Sequence, residues 1–212
     1  GGFDSRKNID GLIAAYGMLP AALRGAHQLV IAGKINDGER QRLAELAQRH
    51  GLGKDELVLT GYVSDADLIA LYRLAALFVF PSLHEGFGLP ALEAMACGAL
   101  VIGADSTSIP EVIGHPDALF DGRQPAAIAQ RIAEVLGDPA LQARLRAHGA
   151  LQARKFSWDR SAQRAIAALE AHVAQVARTA AQGATKDAPA RKPRIAFLSP
   201  LPPERTGIAD YA

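Results

Sequence analysis

Short apolar runs alternate with longer amphipathic segments along the first half of this sequence. Each run is rich in β-branched or aromatic residues, and each following segment carries apolar residues at spacings of three and four. The pattern predicts an α/β fold, with a Rossmann-like parallel sheet covered by helices on both faces and joined by right-handed crossovers. The predicted strands are residues 29–32, 57–59, 77–80 and 100–102, and the predicted helices between them are 37–50, 64–74 and 89–96.

The second half of the sequence predicts helices and then a change of character. Apolar periodicity predicts C-terminal helices over residues 125–136, 139–155 and 157–178, so we expect a first domain over residues 1–178. Residues 179–193 are rich in Ala, Thr, Lys and Pro without an apolar period, which is typical of a linker. A new strand pattern begins at Arg194, so residues 194–212 are interpreted as the first strand and loop of a following, truncated domain. The alternative is a return strand of the first domain.

Composition excludes several classes of protein. The net charge of +1 over 212 residues argues against a nucleic-acid partner, which needs clustered Lys and Arg. The single cysteine, Cys97, excludes an internal disulfide framework, and no His/Cys cluster has metal-ligand spacing. No apolar run approaches the ~20 residues that span a bilayer. We therefore expect a cytoplasmic protein without metal or cofactor, with association with the inner face of the membrane as a further option.

The segment after the third predicted strand has an unusual composition. Glycines flank Phe87 directly before a helix, and Pro90 suits the first turn of that helix. The free N–H groups of Gly88 and Leu89 at a helix N-terminus favour an anion such as phosphate. Glu85 lies in the loop before the helix and Glu93 near its first turn, so both carboxylates can accept hydrogen bonds from sugar hydroxyls. The combination suggests a site for a sugar nucleotide, although Glu85 as a solvated loop residue and Glu93 as a helix-favouring charge remain an alternative.

At this point the sequence resembles a known family. The run H-E-G-F-G-L-P-A-L-E-A-M-A-C-G, residues 84–98, is similar to the E-x7-E motif of family 4 retaining glycosyltransferases, which have the two-domain GT-B fold. The opening G-G-F-D-S-R-K-N-I-D-G-L and the later L-V-I-A-G-K, L-T-G-Y-V-S-D and S-I-P-E-V-I-G follow in the order expected for the donor-binding domain. The resemblance covers roughly residues 1–176.

The resemblance implies roles for particular residues. Glu85 is implied to contact the hydroxyls of the transferred sugar, and Lys7 to pair with the pyrophosphate, so both are catalytic candidates. Glu93 is implied to hold the ribose hydroxyls. Many relatives carry an arginine where this chain has Gly2, so Arg6 is a candidate substitute for it in the phosphate clamp. The remaining donor-binding candidates act through the backbone: Gly33, Tyr62, Val63, Gly86, Phe87, Gly88 and Leu89.

The implied reaction moves a sugar from a GDP- or UDP-linked donor to an acceptor hydroxyl with retention of the anomeric configuration. The acceptor is a glycan or a lipid-linked glycan, as in polysaccharide or glycoconjugate synthesis. A preceding acceptor-side domain of the same polypeptide would complete the active site, so the fragment alone is expected to be incomplete for catalysis. The tail from Arg194 resembles the start of a second glycosyltransferase module. Two alternatives stay open: a catalytically inactive donor-binding domain, and a GT-B-fold nucleotide-sugar epimerase.

Overall fold

The computed structural model describes residues 4–183. The chain divides into two units, the first ending at Trp158 and the second beginning at Asp159. The strands of the first unit are β1 Leu29–Ala32, β2 Leu57–Gly61, β3 Phe78–Phe80, β4 Val101–Ala104 and β5 Leu119–Phe120. Its helices are α1 Ile9–Gly17, α2 Ala21–Ala26, α3 Asp37–Arg49, α4 Asp65–Leu74, α5 Leu89–Ala96, α6 Ile109–Ile113, α7 Pro125–Gly137 and α8 Pro139–Ala153. Helix α9, Trp158–Gly183, begins at the last residue of the first unit, and its residues 159–183 are the described part of the second unit.

Local side-chain chemistry explains where several helices begin. The Ser64 hydroxyl accepts a hydrogen bond from the backbone N–H of Asp67 and so caps α4. The Asn36 side chain accepts from the N–H of Glu39 at the start of α3, and Asp138 accepts from the N–H of Leu141 at the start of α8. These caps satisfy N–H groups that a helix leaves without an internal partner.

The strands are parallel, as predicted, but they form two sheets. In one sheet β1 pairs with β2, with Leu29 opposite Leu57. In the other the order is β3-β4-β5, with Phe78 opposite Val101 and Gly103 opposite Leu119. Strands β1 and β3 do not pair with each other, and both line a cleft of about 730 Å³ with mostly apolar walls. The prediction of a parallel sheet with flanking helices is confirmed, whereas its continuity is not.

The core lies around β4 and the helices that cover it. All four residues of β4 are buried, and fully buried side chains of α1, α6 and α7 belong to the same hydrophobic core: Ile13, Ile109, Val112, Ile113 and Ile128. Burying one such aliphatic side chain stabilises the fold by roughly 1.5–3 kcal/mol. The three-stranded sheet is therefore firmly held, and it carries the loops that follow β3 and β4.

The C-terminal segments follow the predicted helices closely. The structure has helices at 125–137, 139–153 and 158–183, where the sequence predicted 125–136, 139–155 and 157–178. Helix α9 continues through residues 179–183, the first part of the predicted linker, because Ala, Gln and Thr there permit a helix to extend. The rest of that linker and the predicted strand after Arg194 lie outside the described residues, so the domain boundaries stay predictions. Within residues 4–183 no helix is both long and apolar enough to cross a membrane.

Candidate functional site

An ion pair joins two sequence motifs of the first unit that are far apart in the chain. The Lys7 ammonium lies 2.7 Å from Oε1 of Glu85, although 78 residues separate the two in the chain. The Lys7 side chain is 26% exposed and the Glu85 side chain 14%, so the pair is partly shielded from solvent. The structure thus brings together the two residues that the sequence proposed as catalytic candidates.

Backbone and amide hydrogen bonds hold Lys7 in that position. Lys7 ends a short 3-10 turn, Ser5–Lys7, whose Arg6 carbonyl accepts a hydrogen bond of 2.7 Å from the N–H of Leu83. The next residue, Asn8, has a left-handed backbone with φ of 54°, and its amide donates to the carbonyls of Pro81 (3.1 Å) and Gly122 (2.7 Å). Asn8 therefore ties the turn to the end of β3, a role that sequence reasoning missed.

Three successive hydroxyls after β4 bind the loop that contains Glu85. Ser106 donates to the carbonyl of Ser82 at 3.0 Å. Thr107 accepts from the N–H of Glu85 at 3.1 Å. Ser108 lies within donating distance of two carbonyls, those of Glu85 (3.1 Å) and Phe87 (2.9 Å). The sequence interpretation had not assigned these hydroxyls, and their position at the carboxyl end of a parallel strand was the signal available.

The N-terminus of α5 presents a row of unpaired donors. Gly88 is the N-cap residue, and its φ of 102° lies in the region that favours glycine. Pro90 lies in the first turn, as predicted. Within the described part of the chain, the backbone N–H groups of four consecutive residues donate no hydrogen bond: Gly86, Phe87, Gly88 and Leu89. A helix of eight residues with free N–H groups at its start is a suitable position for an anion.

Glu93 is held differently from Glu85. Its Oε2 accepts a hydrogen bond of 3.1 Å from the hydroxyl of Tyr72, a residue of α4 that is only 6% exposed. The Tyr72 ring packs edge-on against Phe78, with ring centroids 5.3 Å apart. Burial, followed by the nearby Glu93 carboxylate, raises the pKa of the Tyr72 phenol, so Tyr72 remains a donor. Tyr72 is a second positioning residue that the sequence analysis did not single out.

The 730 Å³ cleft brings Lys7 and Glu93 to a common border. Both residues line it, together with Tyr72 and Pro90. Most of its walls are apolar residues of β1, β3 and the neighbouring helices, which offer no partners for a diphosphate. Lys7 and Glu93 bring charge to this mostly apolar cleft, whose lining also includes the polar residue Gln28.

Four other sequence candidates stand apart from this cluster. Arg6 is exposed and forms hydrogen bonds of 3.1 and 3.2 Å with both carboxylate oxygens of Asp4, and these bonds lower the pKa of the Asp4 carboxyl. Gly33 follows β1 and donates to the carbonyl of Gly61 at 3.0 Å. Tyr62, which is 79% exposed, and Val63 follow β2. Within the described residues, none of the four forms a hydrogen bond with residues 85–93.

An aromatic contact adds a further neighbour to the loop. The Phe156 ring meets the Phe87 ring edge-on, with centroids 5.5 Å apart. Phe156 lies just after α8, at the C-terminal end of the first unit, so this contact fixes Phe87 from a distant part of the sequence. Among residues 4–183, no group of three His, Cys, Asp or Glu side chains lies close enough together to hold a metal ion.

The fold is shared with solved glycosyltransferases. The chain superimposes on sucrose-phosphate synthase from Thermosynechococcus elongatus with a TM-score of 0.71 and 30% identity, over 82% of this chain and 44% of that one. It superimposes on HepE from Anabaena, solved in complex with UDP, with a TM-score of 0.70 and 20% identity, over 81% and 47% of the two chains. The fold is therefore that of an α/β domain of the GT-B glycosyltransferases.

The family follows from the sequence comparison. The family model described as glycosyl transferases group 1 matches residues 1–152, and the chain belongs to that family. It is 48% identical over 163 residues to the serotype-specific mannosyltransferase WbdA of Escherichia coli, which covers 77% of this chain and 20% of that protein. It is 40% identical over 159 residues to the O-antigen chain mannosyltransferase B of Escherichia coli, over 75% and 41%. The chain thus spans about one fifth of the first of these relatives and about two fifths of the second.

Proposed function

We propose that this chain is the nucleotide-sugar-binding half of a retaining mannosyltransferase that acts in the synthesis of a polysaccharide such as an O-antigen. Two relatives, 48% and 40% identical, carry the name mannosyltransferase, and this supports mannose as the sugar. The donor is a GDP- or UDP-linked sugar, and the acceptor is a hydroxyl of a glycan or a lipid-linked glycan. The Lys7–Glu85 pair beside the free N–H groups of residues 86–89 is the observation that carries the proposal.

The charges of the site suit a departing diphosphate. The free N–H groups of residues 86–89 offer hydrogen bonds to phosphate oxygens, and the dipole of α5 favours negative charge at this end. An ammonium group has three donors, so Lys7 can keep its bond to Glu85 and still bind a phosphate oxygen. Lys7 and the start of α5 then stabilise the negative charge that develops on the leaving group.

The carboxylates of Glu85 and Glu93 bind different parts of the donor. Glu85, held by Lys7 and by the hydroxyls of Thr107 and Ser108, accepts hydrogen bonds from hydroxyls of the sugar. Glu93, one turn into α5 and held by Tyr72, accepts from the ribose hydroxyls. Backbone groups at Gly33, Tyr62 and Val63 border the base.

The proposed transfer step requires only the donor and the acceptor, without a metal or cofactor. The acceptor oxygen forms a bond to the anomeric carbon on the face from which the diphosphate departs. The bond from that carbon to the diphosphate oxygen breaks, and its electron pair stays on the diphosphate. The proton of the acceptor hydroxyl passes to the departing phosphate oxygen. The new bond therefore has the anomeric configuration of the donor.

We also propose the arrangement of the longer polypeptide. Residues 1–178 form the donor-binding domain, an acceptor-side domain precedes it, and residues 179–193 link it to a second transferase module that starts at residues 194–212. The length of the relatives supports this arrangement, since this chain covers 20% of WbdA.

A transfer assay with the full-length polypeptide tests the function. We expect incorporation of mannose from GDP-mannose or of another hexose from its UDP-linked donor into a mannoside acceptor. NMR of the product should give the same anomeric configuration as the donor. A product of inverted configuration contradicts the retaining mechanism. Glu85→Ala should abolish transfer, and full activity in that variant would favour an inactive donor-binding domain alongside another active module.

A further inference from the structure

We propose that Ser108 is a positioning residue that aims the N–H groups of Gly86 and Gly88 at the donor diphosphate. This inference rests on the proposed function, because it concerns the same anion-binding loop. It assigns a role to a side chain that touches no part of the donor itself.

The Ser108 hydroxyl contacts two backbone carbonyls of the loop before α5. Its Oγ lies 3.1 Å from the carbonyl oxygen of Glu85 and 2.9 Å from that of Phe87. A serine hydroxyl has one proton, so Ser108 shares that proton between the two carbonyls. One side chain therefore fixes two peptide groups that are two residues apart.

Peptide geometry converts this contact into a direction for two donors. In a trans peptide the C=O and the following N–H lie in one plane and point in opposite directions. The carbonyl of Glu85 shares its peptide group with the N–H of Gly86, and that of Phe87 with the N–H of Gly88. With both carbonyls turned toward Ser108, both N–H groups face away from it, and neither finds a partner within the described residues.

Glycine makes this fixation necessary. Gly86 is exposed, and a Cβ added at this position would meet no atom within 4 Å, so packing does not restrain its backbone. A glycine also has more accessible backbone conformations than any other residue. Without the hydroxyl, the peptide groups of Glu85–Gly86 and Phe87–Gly88 each lose a restraint, so we expect the direction of their N–H groups to vary more.

The neighbouring hydroxyls offer a control. Thr107 takes up the N–H of Glu85, which marks where the row of free donors begins. The Ser106 hydroxyl donates to the carbonyl of Ser82, which follows β3 and lies outside the loop of free donors. Ser106→Ala and Ser108→Ala therefore remove the same atom two residues apart, but only the second releases carbonyls of the anion-binding loop.

The first test measures binding to the 212-residue chain. GDP and UDP are titrated against the wild type, Ser108→Ala, Ser106→Ala and the conservative Ser108→Thr, with guanosine and uridine as ligands that lack phosphate. We expect Ser108→Ala to weaken diphosphate binding by about threefold to tenfold, the effect of one shared hydrogen bond, and to leave nucleoside binding unchanged. Ser106→Ala should stay within twofold of wild type, and Ser108→Thr should recover most of the affinity. Equal diphosphate affinity in Ser108→Ala and wild type would overturn the inference.

A second test needs no ligand. Residual dipolar couplings of the Gly86 and Gly88 N–H groups report their orientation in the free chain. Ser108→Ala should change both couplings, and Ser106→Ala should leave them unaltered. If the wild type binds no diphosphate but Ser108→Ala still reorients both groups, the proposed donor site fails while the positioning role of Ser108 stands. Unchanged couplings in Ser108→Ala contradict that role whatever the chain binds.

Discussion

The segment from Glu85 to Glu93 has a carboxylate at each end, and different partners hold the two carboxylates in place. Glu85 is 14% exposed, pairs with a cation at 2.7 Å, and lies in a loop fixed by hydroxyls from the next connection. Glu93 lies on the exposed side of α5 and accepts one hydrogen bond from an uncharged donor, the Tyr72 hydroxyl. One carboxylate depends on charge and the other on a buried phenol.

The two carboxylates therefore differ in what restrains their side chains. Both partners are charged in the Lys7–Glu85 pair, whereas only the carboxylate is charged in the Tyr72–Glu93 bond, so Lys7 and Glu85 restrain each other more strongly. Glu93 gains its direction from the helix that carries it, and Tyr72 adds a single bond. Replacement at the Glu85 end should therefore affect turnover, whereas replacement at the Glu93 end should mainly affect donor affinity.

The largest effect is expected for Glu85→Gln in the full-length polypeptide. This variant keeps the size of the side chain, loses the charge opposite Lys7 and weakens acceptance of sugar hydroxyl protons. We expect kcat/KM to fall by about 10²–10³-fold, the range seen when one electrostatic group of an active site is removed. Steady-state kinetics with both donor and acceptor varied provide the measurement. Activity within threefold of wild type would remove Glu85 from the mechanism.

Lys7→Ala should have the next largest effect. It removes the cation that stabilises the leaving diphosphate and leaves Glu85 without its partner, so we expect kcat to fall by about 10–10²-fold. Lys7→Arg keeps the charge and should recover part of the loss in the same kinetic assay. If Lys7→Ala raises only the donor KM and leaves kcat unchanged, Lys7 binds the donor equally in the ground state and the transition state and does not stabilise the leaving group selectively.

Glu93→Ala should act on affinity. Removing the acceptor for the ribose hydroxyls should raise the donor KM by about tenfold with little change in kcat, since these hydroxyls take no part in bond breaking. Glu45→Ala is a matched control, because Glu45 is also an exposed carboxylate on a helix but lies on α3. A fall in kcat of Glu93→Ala comparable to that of Glu85→Gln would break the distinction between the two carboxylates.

The smallest effect concerns Tyr72 and pH. A phenol whose pKa is raised by burial and by Glu93 stays protonated in the folded protein above pH about 10, where an unfolded tyrosine ionises. Its contribution to stability is fully present below that pH and is lost as pH rises further. Urea unfolding at pH 9 and pH 11 should show the wild type losing about 1 kcal/mol more than Tyr72→Phe. Equal losses in the two proteins would mean that the Tyr72 pKa is not raised in the folded state.

Sequence patterns predicted the elements whose limits are set locally. Helix α5 begins and ends where Gly88, Pro90 and the apolar period indicated, and β1 has its predicted bounds. Strand β5 was not predicted, because a strand of two residues is defined by its pairing with β4 and not by its own composition. The separation of the strands into two sheets is likewise a matter of long-range pairing, which no local pattern specifies.

In the candidate site, too, the sequence predicted local features but not long-range contacts. The motif around Glu85 and Gly88 was evident from glycine, proline and carboxylate spacing, whereas its proximity to Lys7 followed only from the resemblance to a family. The sequence did not predict the roles of Asn8, Tyr72 and Ser108, because each acts through a contact with a residue at least 20 positions away along the chain. Side chains of these types are common in turns and cores, so the sequence alone does not distinguish their roles.

Calorimetric titration of the 212-residue chain tests the central claim most directly, by comparing a nucleoside diphosphate with its sugar-bearing form. The wild type should bind GDP-mannose or UDP-glucose, with GDP or UDP as the matched ligand that lacks the sugar. Glu85→Ala should lower the affinity for the nucleotide sugar by about tenfold and leave the affinity for the diphosphate unchanged, while Glu93→Ala should lower both alike. If Glu85→Ala binds the nucleotide sugar as wild type does, or if Glu93→Ala binds both ligands unaltered, the segment from Glu85 to Glu93 is not the donor site.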